Sequence, residues 1–182
     1  LEPGDELIYM VPNYLQIRGI ARSFGIIVKE LSLRDSLGWQ WDMNELESMV
    51  TNKTKMIAVC HPNNPTGSIV TRDNMKAIID IASKNNCWIL SDEVYRGAEL
   101  NGVESPSFYG TYDKTIVNAG LSKASRLPGL RIGWTVGPKD YIKKAWAFHD
   151  YTSISIAYHS DWVASKILDT KRRNQILDGT KT

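Results

Sequence analysis

Residues 119–134 read AGLSKASRLPGLRIGW, with Lys123 behind a small, hydroxyl-bearing turn (Gly120, Leu121, Ser122) and Arg131 eight residues on, at the mouth of an apolar run. An amine among small residues suits Schiff-base chemistry with a carbonyl. A guanidinium suits a phosphate, because its fork of donors is always charged. An aldehyde that carries a phosphate would use both. The same stretch also reads as an ordinary polar surface loop, and a short motif alone does not separate the two. The rest of the chain decides.

Outward from that loop, strand and helix alternate. On the N-terminal side, Glu6–Val11 (ELIYMV) is an apolar run after a Pro-Gly-Asp turn, stopped by Pro12, which lacks a ladder donor. Ile17, Ile20, Ala21 and Phe24 share a helical face, with Gly25 as a cap beyond. Further strands are expected at 26–31, 55–60, 87–90 and 115–118, and a sixth at 131–136, after the lysine loop. Asp42 with Glu45 resembles a capping box for a short helix through Leu46, Met49 and Val50. Thr71 caps a helix whose Met75, Ile78, Ile79 and Ala82 share a face. Pro138 suits the first turn of a helix with Tyr141, Ile142, Ala145 and Trp146 inside, and 158–168 is a further helix. Runs buried on both faces, separated by amphipathic helices, predict an α/β fold with a mostly parallel sheet and helices on both faces. In such sheets a ligand lies beyond the carboxyl ends of the strands.

The polar residues gather at those ends. Tyr14 follows the first strand and offers a ring for stacking, or simply opens a helix. Asn64 follows the third within HPNNPTG, as an amide donor or a plain Asn-Pro turn. The fourth delivers Asp92, and Tyr95 comes three residues on; an acid there can hold a proton on a pyridine nitrogen or cap a helix. The fifth delivers Ser122 and Lys123, and the sixth opens at Arg131.

Composition narrows the function classes. The 182 residues carry 22 basic and 20 acidic side chains, a net charge of +2, so no polyanion partner is implied. Six Trp and eight Tyr are not interleaved with basic clusters, which argues against nucleic acid. Cys60 and Cys87 have no CxxC neighbour and read as core thiols of a reducing compartment. His61, His149 and His159 lack ligand spacing, so no metal is expected. No apolar run approaches membrane-spanning length and no signal peptide is seen. A cytoplasmic protein with no membrane partner is expected. Both ends, including the polar tail 171–182, read as cut.

NNPTG, SDEVY and SK…PGLRIGW, in that order, resemble the class I/II aminotransferases, the aspartate-aminotransferase-like fold-type I enzymes that use pyridoxal 5'-phosphate. The resemblance implies that residues 1–182 are the cofactor-binding large domain, without its N-terminal part and C-terminal small domain. It implies a transfer of an amino group between an amino acid and a 2-oxo acid, through a Schiff base on Lys123, which then shuttles the proton. By it, Asp92 pairs with the ring nitrogen, Asn64 and Tyr95 hold the phenolic oxygen, Arg131 and Ser122 bind phosphate, and Tyr14 stacks on the ring. A dry strand-end site with cationic neighbours would keep the lysine amine available. Gly120 departs from the family, which often has a phosphate-binding hydroxyl there; Ser125 is the candidate replacement. A lyase, decarboxylase or oxidase on the same scaffold, or a non-catalytic cofactor-binding fragment, are the alternatives. A homodimer is implied, with 151–155 either at its interface, offering Tyr151 or Ser153 to the neighbour, or a plain linker.

Overall fold

The computed structural model describes residues 1–180. Its sheet contains six strands: β1 (Glu6–Val11), β2 (Ile27–Ser32), β3 (Thr54–Cys60), β4 (Trp88–Asp92), β5 (Thr115–Gly120) and β6 (Gly133–Val136). The spatial order is β2-β1-β3-β4-β5-β6. Every pairing up to β5 is parallel, and β6 runs antiparallel to β5. The chain goes outward from β1 to β2, then crosses back to β3 on the other side of β1. That reversal opens a crevice at the carboxyl ends of β1 and β3, where open α/β sheets take ligands.

Alternation along the central strands builds a core on each face. Ile8, Met10, Ile57, Val59 and Ile89 point one way, onto α2 (Met43–Met49) and α3 (Arg72–Lys84) through Leu46, Met75, Ile78 and Ala82. Leu7, Tyr9 and Ala58 point the other way, onto Ala21 of α1 (Gln16–Ser23). Each fully buried apolar side chain contributes about 1.5–3 kcal/mol over an exposed one, so β1 and β3 anchor the fold. The capping residues behave as their chemistry dictates. Asp42 accepts from the Asn44 and Glu45 N–H groups at 2.9 and 3.3 Å, and Thr71 accepts from Asn74 N–H at 3.2 Å.

Several expectations need correction. Arg131 does not open a strand: it closes the 3-10 turn Pro128–Leu130 at φ +54°, and β6 starts two residues later. The outer strands are not buried on both faces, because β2 and β6 are edges with little packed outside them. Ile20 on α1 and Phe24 just beyond its end are exposed. On α4 (Lys139–His149), preceded by Pro138 as the capping residue, only the first turn is engaged. Tyr141 packs on Trp88 with ring centroids 5.8 Å apart, while Ala145 and Trp146 are exposed. The apolar spacing was there, but no described surface covers it.

The tail is no loose end. After α5 (Tyr158–Ile167) comes α6 (Thr170–Thr180), opened by Asp169, whose Oδ1 accepts from the Lys171 and Arg172 N–H groups at 3.2 and 3.4 Å. Residues 181 and 182 of that expected tail lie outside the described residues. α6 packs Leu177 against Gly97, where a Cβ would sit 3.0 Å from a Leu177 methyl. Thr180 Oγ1 donates to the Ala124 carbonyl at 2.8 Å, next to Lys123.

Candidate active site

A cavity of about 420 Å³ opens at the carboxyl ends of the parallel strands, within the range of roughly 300–1,000 Å³ common for small-molecule sites. All seven residues singled out in the sequence line it. Tyr14 comes from beyond β1, Asn64 from beyond β3, and Asp92 from the end of β4 with Tyr95 in the turn after it. Ser122 and Lys123 follow β5. Because β6 is antiparallel, its beginning lies at this same edge, and that brings Arg131 into the cavity wall.

Asn64 and Tyr95 already form a pair: Asn64 Nδ2 donates to the Tyr95 hydroxyl at 3.1 Å. Lys123 Nζ lies 5.8 Å from the Tyr95 ring centre. Lys123 is exposed, so the dry setting expected for it is absent among the described residues. Asp92 behaves differently. Burial pushes its pKa above the usual carboxylate value, the neighbouring Glu93 adds to this, and the Val94 N–H at 3.3 Å and Lys123 oppose it. No helix follows Asp92, so a capping role is excluded; the Val94 contact belongs to a turn. Arg131 donates from Nη1 to the Pro128 carbonyl at 2.9 Å, which leaves other N–H donors of the fork. Among the described residues no ion pair engages Lys123, Asp92 or Arg131.

The reading from sequence passed over parts of this wall. Cys60 lines the cavity beside Asp92 as a core thiol, its pKa pushed up to about 12 chiefly by burial. Tyr9, buried under the crevice, donates its hydroxyl to the Tyr14 carbonyl and so holds the strand-end aromatic. A tyrosine among the apolar residues of ELIYMV was the available signal. Gly120 also has a steric reason: a Cβ there would stand 2.9 Å from the Ile132 carbonyl oxygen and 3.2 Å from Gly133 Cα. Any side chain at 120 must first move β6. Ser125 is no substitute in this geometry, since it lines a neighbouring cavity with Ala124 and Trp134 and not the one holding Lys123.

The set fits pyridoxal phosphate by its chemistry. An amine, an unpaired acid with a raised pKa and a guanidinium with free donors match a carbonyl, a basic ring nitrogen and a phosphate.

Comparison with known proteins shows the family and the fold. The sequence matches the family described as aminotransferase class I and II over residues 1–178. It is 30% identical to an aspartate aminotransferase of Streptomyces avermitilis over 161 residues, 86% of this chain and 40% of that enzyme. It is 33% identical to kynurenine–oxoglutarate transaminase 3 of Mus musculus, over 79% of this chain and 34% of the enzyme. The structure superposes on a PLP-dependent aminotransferase from Streptococcus suis with a TM-score of 0.90 at 35% identity, covering 98% of this chain and 46% of that one. The chain thus spans less than half the length of these relatives. With its match running almost from end to end, the chain belongs to the aminotransferase class I and II family.

Proposed function

We propose that this chain is the cofactor-binding large domain of a pyridoxal-phosphate-dependent aminotransferase, which moves an amino group between an amino acid and a 2-oxo acid. The observation that supports it most is the unpaired charge in one cavity: Lys123, Asp92 and Arg131 all line it without an ion-pair partner among the described residues. Asp92 carries most of the weight: burial already penalises its carboxylate, and a charge withdrawn from water costs free energy unless a ligand answers it, while the exposed Lys123 and Arg131 keep their donors open to the cavity.

When bound, the cofactor supplies an electron-withdrawing ring that takes up the electron pair left at the amino-acid α-carbon. Lys123 Nζ would hold the cofactor at its carbonyl carbon, water being the group lost, and, once displaced by the substrate amine, would carry the α-proton. Asp92, whose pKa burial raises, gains most from a cationic N–H set against it, so its carboxylate holds a proton on the ring nitrogen. Arg131 and Ser122 would bind the phosphate. Asn64, through the N–H that it does not give to Tyr95, and Tyr95, through its hydroxyl proton, would donate to the phenolic oxygen, and Tyr14 would cover the ring face.

We read the complete protein as a cytoplasmic homodimer. Two buried free thiols, Cys60 and Cys87, support a reducing compartment. The exposed aromatic run Trp146, Phe148, Tyr151 and Trp162 supports a covered face, with Tyr151 86% exposed. Isologous dimers are the commonest closed assembly.

Borohydride reduction of the pyridoxal-phosphate-loaded chain, followed by peptide mapping, should label Lys123 and not the Lys123→Ala variant. A label on Lys114 or Lys139 would overturn the assignment. For the complete protein, a spectral titration with amino acids and 2-oxo acids should show half-reactions in both directions. Ammonia or carbon dioxide as product would indicate a lyase or decarboxylase instead. Mixed dimers of Lys123→Ala with Tyr151→Ala/Ser153→Ala subunits should regain part of the activity if that stretch reaches the neighbouring site.

A further inference from the structure

His61 is the first residue after β3, wholly buried and not part of the cavity wall, yet three segments meet on it. Its backbone N–H donates to the Asp92 carbonyl at 2.8 Å. Its Nδ1 accepts from the Val70 N–H at 3.0 Å, and its Nε2 lies 2.8 Å from the Pro106 carbonyl oxygen. A backbone N–H only donates and a carbonyl only accepts, so the ring is neutral with its proton on Nε2. Phe108 packs edge-on against the ring at 5.9 Å. The 61–70 loop bears Asn64 and the 93–111 segment bears Tyr95, the two residues joined at 3.1 Å in the cavity.

We propose that His61 is a positioning residue for this cavity: its Nε2–H bond to Pro106 ties the Asn64 loop to the Tyr95 segment, so that the Asn64–Tyr95 pair is set before a ligand arrives. The other ring contact, to Val70, only closes the 61–70 loop on itself. The surroundings keep the imidazole neutral. Glu93, Arg96 and Glu99 face it from the 93–111 segment, with Cys60 and Asp92 at the adjoining strand ends. Each loop charge is already engaged: Glu93 by Ser91 Oγ and Phe108 N–H, Glu99 by Gly97 N–H and Ser105, Arg96 by the Ser105 carbonyl and Glu104. Burial accordingly holds the His61 pKa below its ordinary 6.5. What the pair touches rests on the pyridoxal-phosphate reading; the tie itself does not.

Two substitutions separate the ring contacts. His61→Gln can keep a donor toward Pro106, whereas His61→Asn keeps only the acceptor for Val70. In absorbance titrations, His61→Asn should weaken pyridoxal phosphate binding by about tenfold and His61→Gln by less than about threefold, the scale of one buried hydrogen bond. Equal loss in both variants, or none in either, would overturn the proposal. Hydrogen exchange on the ligand-free chain gives a second reading: His61→Asn should speed exchange in both 62–70 and 93–111, and His61→Gln only in 62–70. If the unsubstituted chain binds no pyridoxal phosphate, the cofactor reading fails and the exchange pattern alone decides the tie. If the variants do not fold, nitrogen NMR of the unsubstituted chain decides: the Nε2–H tautomer at pH 7 supports it, and an Nδ1–H tautomer or an imidazolium overturns it.

Discussion

From Leu7 to Met10 in β1 and from Ile57 to Cys60 in β3 every residue is buried, whereas Gly133, Trp134 and Thr135 of β6 are all exposed. Around β1 and β3 the sheet has helices on both faces. At β6 it has a free edge among the described residues, with α4 engaged through one turn. The cavity straddles this divide. Asp92, Asn64 and Tyr95 come from the packed side, while Ser122, Lys123 and Arg131 come from the connection between β5 and β6. The acid and the amide pair are therefore held by core packing. The amine and the guanidinium depend on the β5–β6 connection, which packs Leu121 and Ile132 on Ala164 of α5, in a small cluster apart from the main core, while β6 beside it is exposed.

The sharpest way to break that comparison is in the core. Ile57→Ala, at a fully buried position on the face of β3 that packs against α2 and α3, should cost about 2–5 kcal/mol in urea unfolding. A loss under about 1 kcal/mol would mean the packed half is not what stabilises the chain. Next comes the chemistry that the packed half delivers. Asp92→Asn in the complete enzyme should raise the barrier to α-proton removal by about 3 kcal/mol, the size of a lost electrostatic stabiliser. Stopped-flow absorbance checks it, and cofactor loading should change far less.

Acid should loosen the packed half in two steps. Below 6.5 the unfolded chain takes up a proton that buried His61 refuses, so stability falls as pH drops from there. Glu6 acts lower down. Despite the cost of its burial, Lys29 at 2.7 Å and the Thr51 and Thr54 hydroxyls hold its pKa at about 2 against an ordinary 4.5. That stabilisation is full above 4.5 and is lost as pH falls toward 2. Denaturant midpoints against pH should show both, and His61→Gln should remove the upper step alone. The smallest effect belongs to the bare side. Trp146→Ala, 66% exposed, should alter the stability of this chain by less than about 0.5 kcal/mol. In the complete protein the same change should weaken subunit association, as read by sedimentation at rising dilution.

The divide also explains what was legible in the sequence. Strands packed on both sides carry unbroken apolar runs, so β1 was readable to the residue and β3 to within one at its start. Lys123, Asp92 and Asn64 could be found because each sits just past such a run. Arg131 lines the cavity but sits at the end of a turn and not in a strand, since φ +54° belongs to the backbone and leaves no mark on an arginine. The direction of β6 was equally hidden, because an exposed four-residue edge strand has no burial pattern to read. Tyr141, Ala145 and Trp146 gave a helical spacing that was correct, but spacing cannot say whether a surface exists to cover it. The helix α6 was lost to its polar composition, although Asp169 offered a capping signal.

The close approach of Gly120 and Gly133 makes the 121–132 connection a loop with its mouth drawn shut. A ligand reaching both Lys123 and Arg131 would span that loop internally, acting as a removable cross-link between positions near its two ends. Its departure would return conformational freedom to the residues between them, Arg126 at φ +55° and the Pro128–Leu130 turn included. A protease directed at Arg126 would then serve as a clock for occupancy: slow on the loaded protein, fast on the empty one, with the core of the sheet untouched in either case.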